Sequence, residues 1–263
     1  MKLLIIPDAH SRPCSTSDRF TWLGKYIVDE RPDTIVCLGD FMDFESLSSY
    51  DKGTTGAEGK RVALDLQAGK RDLDALFAPL RSYNADRRRS RKARYLPSTY
   101  ITLGNHEHRL TKFASSTPEW HGAVPTLGDI FSPYFDAVVP FKQPLFIEGI
   151  AFSHFFPSKM GRAIGGMNAA RTVLQKTYMS SVCGHSHEYD LHIATRVNGE
   201  KMFGMVAGWY GDLDHEEAWS RGTDHSWWNG VTMLHDVKDG FFQEDQRMTQ
   251  SKLRYLYGQD DVS

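Results

Sequence analysis

The sequence predicts an α/β protein built as a four-layer α/β/β/α sandwich, two mixed sheets packed face to face with helices outside. Three observations carry that reading. Short apolar runs rich in β-branched residues recur along the chain, of a length that suits buried strands. Up to about residue 105 these runs alternate with helical patterns, and strand–helix–strand repetition implies parallel strands joined by right-handed crossovers. After residue 140 the spacing changes to paired runs around turn residues, the signature of antiparallel hairpins.

In chain order, residues 2–7 form the first expected strand. A helix follows from about Asp18 to Asp29, started by Thr16 or Ser17 as N-cap and stopped before Pro32. Residues 34–39 make the second strand. A Gly- and Ser-rich loop (46–60) leads to an amphipathic helix with Val62, Leu64, Leu66, Leu73, Leu76 and Phe77 as its apolar positions. The third strand covers 99–103. Residues 144–156 read as a strand pair about Glu148-Gly149, and a helix from about Met167 to Tyr178 precedes a strand at 180–184. Residues 190–207 form a hairpin in which Asn198-Gly199 suits a type I′ turn. A last hairpin pairs Val231–Val237 with Phe241–Arg247 across Lys238-Asp239-Gly240.

A chain of 263 residues, 40% hydrophobic and 24% charged, has the composition of a globular protein and is expected to form a single domain over 1–263. No apolar run approaches the roughly 20 residues that span a bilayer. The N-terminus enters a strand with no leader pattern, so a cytoplasmic protein with no membrane partner is expected (the host cytoplasm if the chain is phage-encoded). Cys14, Cys37 and Cys183 cannot all pair, and Cys37 and Cys183 fall inside expected buried strands, where a reduced thiol acts as a small hydrophobe.

Five short islands close the apolar runs: Asp8-Ala9-His10, Gly39-Asp40-Phe41-Met42-Asp43, Gly104-Asn105-His106-Glu107, Ser153-His154 and Gly184-His185-Ser186-His187. Strands that end in Asp, Asn or His line up those side chains along the carboxyl edge of a sheet, where open α/β folds place their sites. Oxygen and nitrogen donors gathered there are what two adjacent divalent metals require. A carboxylate at the tip of a central strand can bridge such a pair, and Asp40 is the candidate. Seen singly, Asp8 or Asp43 reads as a turn former or helix N-cap, and His154 as a satisfied core histidine. Independent structural roles for all nine residues are improbable.

The five islands resemble, in order, the signature blocks of the calcineurin-like metallophosphoesterases: D-x-H, G-D-x-x-D, G-N-H-[DE], a lone His, and G-H-x-H. They span residues 8 to 187. The resemblance implies two divalent metal ions, Mn²⁺ first, with Fe, Zn²⁺ or Ni²⁺ as alternatives. It implies one metal held by Asp8, His10, Asp40 and His187, and the other by Asp40, Asn105, His154 and His185. A hydroxide bridging the pair would attack phosphorus in a phosphomonoester or phosphodiester of a small or nucleotide-like substrate. His106 would act as general acid, with Asp43 holding its tautomer.

Other residues have weaker claims. His108 and Arg109 follow the third block on a helix start and are candidates for touching a substrate phosphate. Glu107 suits the first turn of a helix, favourable to its dipole. His192, His215, His225 and His235 have no block context and suit surface or hairpin positions. Phe44 and Glu45 follow Asp43 where the family's protein phosphatases continue with Arg-Gly, which argues against protein phosphatase activity and toward the small phosphoesterases of bacteria and their phages. Arg81 to Tyr95 carries seven Lys or Arg and one Asp. It enters the third block's strand and could reach the rim of the site. There it could contact a nucleic-acid backbone, Tyr83 and Tyr95 stacking on bases, although a solvated flexible loop is the favoured reading. Trp209, Tyr210, Trp219, Trp227 and Trp228 form a late aromatic cluster, suited to a pocket wall or to core packing. Two rival functions share the motifs, a DNA nuclease similar to the double-strand-break repair nucleases and a catalytically silent scaffold protein.

Overall fold

The computed structural model describes residues 1–49, 52–117, 119, 122–213 and 226–259. Trp219, His215 and His225 lie outside the described residues. Among the described residues, eleven strands form two mixed sheets. In the first sheet β1 (Leu3–Ile6), β2 (Thr34–Cys37), β3 (Ser98–Thr102) and β4 (Ala137–Val139) run parallel, and β10 (Gly230–His235) and β11 (Glu244–Thr249) extend it antiparallel beyond β1. The second sheet has the order β5-β6-β7-β9-β8, from β5 (Leu145–Ile147), β6 (Ile150–Phe152), β7 (Ser181–Cys183), β8 (Tyr189–Thr195) and β9 (Lys201–Ala207).

Side-chain alternation explains the layers. Along β1, Leu3 and Ile5 face the second sheet and pack with Ile150, Phe152, Val182 and Met205. Leu4 and Ile6 face the other way, onto Phe20, Leu23 and Ile27 of α1 (Asp18–Glu30) and Leu73, Leu76 and Phe77 of α2 (Val62–Arg89). The outer face of the second sheet, through Ala151, Cys183 and Val206, packs on Val173 and its neighbours in α5 (Ala169–Thr177). Strands buried on both faces read as continuous apolar runs, and this is what the sequence shows. The result is the expected α/β/β/α sandwich, with α6 (Gln250–Tyr257) beside α1. Among the described residues no helix is long and apolar enough to cross a membrane.

Several local expectations are corrected. Leu64 is 42% exposed and lies off the apolar face of α2, whereas Val62 and Leu66 pack on the core. Glu148 (φ 48°) and Gly149 (φ 77°) make the β5–β6 turn left-handed at both positions, whereas only Gly199 (φ 87°) is left-handed in the β8–β9 loop. There Gly199 N–H bonds Arg196 O at 2.9 Å and Arg196 N–H bonds Glu200 O at 2.8 Å, a three-residue loop with glycine at the bulge position. The last hairpin's second strand starts at Glu244 rather than Phe241. The short helix α4 (Leu127–Phe131), strand β4 and helix α6 have no counterpart in the sequence reading.

The basic stretch is not a flexible loop. It is helical through Arg89, and the turn beyond is fixed by Arg87 Nε donating to Ala93 O (2.9 Å) and by Asn84 paired with the backbone of Tyr95. Nor does it reach the rim. Tyr95 OH donates to Pro32 O (2.6 Å) and Ser98 N–H to Asp33 O (3.0 Å), which places the stretch at the amino end of β2 and β3. The site lies past their carboxyl ends, roughly 15–20 Å away at the usual strand rise. Tyr83 is already covered, with the guanidinium carbons of Arg31 and Arg87 at 5.2 and 5.8 Å from its ring centroid.

Candidate active site

All five blocks sit where parallel strands end: Asp8 and His10 after β1, Asp40 and Asp43 after β2, Asn105 and His106 opening α3 (Asn105–Ser116) after β3, His154 after β6, and His185 and His187 after β7. The backbone there is held in uncommon shapes. His10, Asp40, His185 and His187 all have positive φ, at 45°, 45°, 75° and 62°. Such a conformation costs an ordinary residue about 1–2 kcal/mol and persists only where surroundings over-determine it. Here they do. His10 N–H bonds Asp40 O (2.9 Å), Ser11 N–H bonds Phe41 O (2.7 Å), and Arg19 donates to Ala9 O (2.7 Å) from a buried position. Gly184 N–H bonds His154 O at 3.0 Å, and Trp228 N–H bonds His187 O at 3.1 Å.

Two glycines of the blocks have a steric reason. A Cβ on Gly104 would overlap Asp40 Oδ1, and one on Gly184 would overlap Asp8 Oδ1. Both carboxylates press against bare backbone.

Two nests of donors result. In one, His187 Nε2 lies 3.2 Å from His10 Nε2 and 3.3 Å from Asp8 Oδ2. In the other, His154 Nε2 lies 2.9 Å from Asn105 Oδ1, 3.2 Å from His185 Nδ1 and 3.2 Å from Asp40 Oδ2. His154 Nδ1 faces Leu38 O at 3.0 Å; donating there leaves Nε2 as the free lone pair, the arrangement seen behind metal-ligating histidines. Oxygen and nitrogen donors about 3 Å apart are the edges of a coordination shell whose bonds are about 2.0–2.2 Å. Asp8 Oδ1 is buried without a hydrogen-bond partner. Three carboxylates, Asp8, Asp40 and Asp43, are all but fully buried within this cluster, and buried negative charge requires a cation. The residues present therefore fit divalent metals.

The electrostatics say the same. Burial alone would raise Asp40 and Asp43, yet neighbouring imidazoles, joined at Asp43 by the Arg12 guanidinium, hold both carboxyls well below the usual range. Burial lowers His154, but Asp40 and Asp8 outweigh it and push it up to about 9, so the cluster draws positive charge to this point. Desolvation among the clustered groups and the neighbouring His154 depress His185, whose ring stays open to solvent, to about 4.

Asp43 and His106 form a second unit. His106 Nδ1 meets Asp43 Oδ1 in a short hydrogen bond, and the ring's other nitrogen lies 3.7 Å from Asp40 Oδ2. Burial lowers His106, while Asp40 and Asp43 raise it to about 9. Arg109 reaches this unit, with Nη1 donating to Asp43 O (3.0 Å) and Nη2 3.2 Å from His106 Nε2. His108 instead packs on Phe141, ring centroids 4.8 Å apart, in a cleft with Leu103, Leu127 and Lys142. His235 pairs with Gln246 on the β10–β11 surface (3.1 Å).

Sequence reasoning missed two contributors and left a third open. Glu107 does more than favour a helix dipole. It is fully buried, and its carboxylate accepts from Asp40 N–H (2.9 Å), Met42 N–H (2.9 Å) and Gly104 N–H (2.8 Å), tying the second block to the third. Burial and the Asp40 charge push its carboxyl up to about 7 against those donors. Arg12, two residues past His10 and buried, contacts Asp43 and Glu45. The aromatic cluster divides. Trp209 stacks on His187 (5.6 Å) and Trp227 meets it edge-on (4.7 Å), forming a wall of the site, while Tyr210 is core, its OH donating to Arg19 O (2.7 Å). Glu107's position inside the third block was the one available signal for its role; Arg12 carried none, while the tryptophans read from sequence as a pocket wall or core.

The family model for calcineurin-like phosphoesterases matches residues 1–189. No curated protein sequence matches the chain. Among solved structures, the phosphoesterase YfcE from E. coli is 12% identical and aligns over 94% of this chain and 98% of its own, with a TM-score of 0.36. With the match covering residues 1–189 and every block inside it, the chain belongs to the calcineurin-like phosphoesterase family and is a metal-dependent phosphoric ester hydrolase.

Proposed function

We propose that this protein hydrolyses a phosphomonoester or phosphodiester of a small or nucleotide-like substrate at a two-metal centre, with His106 as the general acid. The observation that carries the reading is the packing of two donor nests and the Asp43–His106 pair where the carboxyl edges of the two sheets meet. Asp8, His10, Asp40 and His187 would hold one cation, and Asp40, Asn105, His154 and His185 the other, with Asp40 shared. Mn²⁺ suits this all-oxygen-and-nitrogen set, and Fe, Zn²⁺ or Ni²⁺ could replace it. When bound, the cations supply Lewis acidity, which makes water a nucleophile at neutral pH and offsets charge on the phosphate oxygens.

The chain's own residues do the rest. His106 donates its Nδ1 proton to Asp43, which leaves the second proton on Nε2, the nitrogen turned toward Asp40 and the donor nests. That proton passes to the departing ester oxygen, so an alcohol leaves rather than an alkoxide. Arg109, 3.2 Å from Nε2, is placed to hold a phosphate oxygen beside the acid. Trp209 and Trp227 cover the other flank at His187.

The test is exhaustive metal removal followed by reconstitution, with turnover measured on a monoester, a diester, cyclic nucleotides and single- and double-stranded DNA. Activity should vanish on removal and return best with Mn²⁺. Full turnover without metal would overturn the reading, and activity confined to DNA would favour a nuclease.

A further inference from the structure

Asp43 is asked to serve two imidazoles at once. Its Oδ1 bonds His106 Nδ1, and the same oxygen lies 3.5 Å from His10 Nδ1. The two rings stand edge to face, 4.7 Å apart. His10 Nδ1 is buried and has no hydrogen-bond partner, so it competes for any carboxylate oxygen that can turn toward it. What opposes that turn is the other end of the carboxylate. Asp43 Oδ2 is bonded by Arg12 Nε, which also lies 3.1 Å from Glu45 Oε1. Arg12 is 3% exposed, and its backbone is itself pinned. Arg12 O accepts from Arg71 Nη2 (3.1 Å), and the neighbouring Ser11 pairs with the second block, accepting from Asp43 N–H at 3.1 Å. Pro13 restricts Arg12 to an extended backbone.

We propose that Arg12 is a positioning residue for the acid: its buried guanidinium locks the Asp43 carboxylate onto His106 and keeps it from rotating onto His10. The inference rests on His106 being the general acid. The role assigned to Arg12 requires no contact with phosphate or with a metal ion. It acts through Asp43, as outer partners act on a catalytic imidazole. A guanidinium suits the task better than an ammonium because its planar fork sets direction as well as charge.

The experiment compares Arg12→Lys, Arg12→Gln, His106→Asn and the Arg12→Gln/His106→Asn double variant in the Mn²⁺-loaded protein. Each is assayed on a nitrophenyl ester and on an alkyl ester, with metal content and thermal midpoint recorded. Arg12→Gln should lower kcat on the alkyl ester by about 10–100-fold. KM and the nitrophenyl rate should stay near the parent, because nitrophenolate departs without a proton. Arg12→Lys should recover only part of the loss. The double variant should be no slower than His106→Asn alone, since both changes disable one unit. If Arg12→Gln does not fold, the same comparison is made with Arg12→Lys, which keeps the buried charge and loses the directed Nε donor. Equal losses on both esters, a loss confined to KM, or additive effects in the double variant would overturn the role of Arg12. Absence of leaving-group dependence in His106→Asn itself would overturn the acid assignment instead, so the two failures are distinguishable.

Discussion

Glu107 offers the sharpest stability test, because three buried backbone donors converge on one side chain. Its carboxylate accepts from Asp40 N–H, Met42 N–H and Gly104 N–H at 2.8–2.9 Å, with no exposure to solvent. In Glu107→Ala these donors lose their acceptor together. A buried donor left unpaired costs about 1–3 kcal/mol, so the three amount to roughly 3–9 kcal/mol. That is a large share of the ~5–15 kcal/mol that holds most proteins folded. Glu107→Gln should behave differently. Its amide oxygen can face Asp40 and Gly104, which share Oε2 in the parent, leaving only Met42 N–H opposed by the amide group. The cost is then about one charge-assisted bond, ~1.5–3 kcal/mol. Urea unfolding followed by circular dichroism would measure both, with the slopes compared to check that the unfolded states match. The alanine variant should be the less stable by at least the cost of one further donor. Equal midpoints for the two variants, or an alanine variant within experimental error of the parent, would refute the clamp.

Three further outcomes follow from the site. Asp40→Asn should lower metal content, measured by elemental analysis, further than loss of Asn105 or His187 does, because Asp40 is assigned to both ions; two metals retained at the normal rate would remove it as the shared ligand. His106→Asn should spare metal binding and slow hydrolysis of alkyl or nucleoside esters by roughly 10²–10⁴, with a much smaller defect on nitrophenyl esters; loss of a metal would mean a ligand had been mistaken for the acid. Neutralising Arg87, Arg88, Arg89 and Arg91 together should leave turnover of a small ester unchanged, since they stand at the opposite end of the strands from the site. If the chain binds duplex DNA through them, its salt slope should flatten by up to about 0.9 per lost phosphate contact. A fall in small-ester turnover would contradict the placement.

The sequence by itself determined the strands that end in candidate ligands, and so the edge at which the candidate site forms. Leu3–Ile6, Thr34–Cys37 and Ser181–Cys183 are mostly apolar and buried on both faces, which only a doubly covered sheet accommodates. Asp, Asn and His immediately after them have nowhere to go but the carboxyl edge. The helices α1, α2 and α5 were legible for the same reason, from period and stop signals. Elements without a periodic apolar face, such as β4 and α4, were not, because their residues take their meaning from what they pack against. The tertiary structure alone decided three things. It brought the site residues of β6 and β7, in the second sheet, to within 3.2 Å of those from the first, as His154 meets Asp40. It made the basic stretch the end of α2 and a hydrogen-bonded turn, where a loop was expected. And it buried Arg12 and Glu107, whose roles depend on what faces them across sequence gaps of 31 and 67 residues. Local sequence sets period and chain-end chemistry; which carboxylate a buried guanidinium finds, or which amides a glutamate collects, exists only once the strands have been laid side by side.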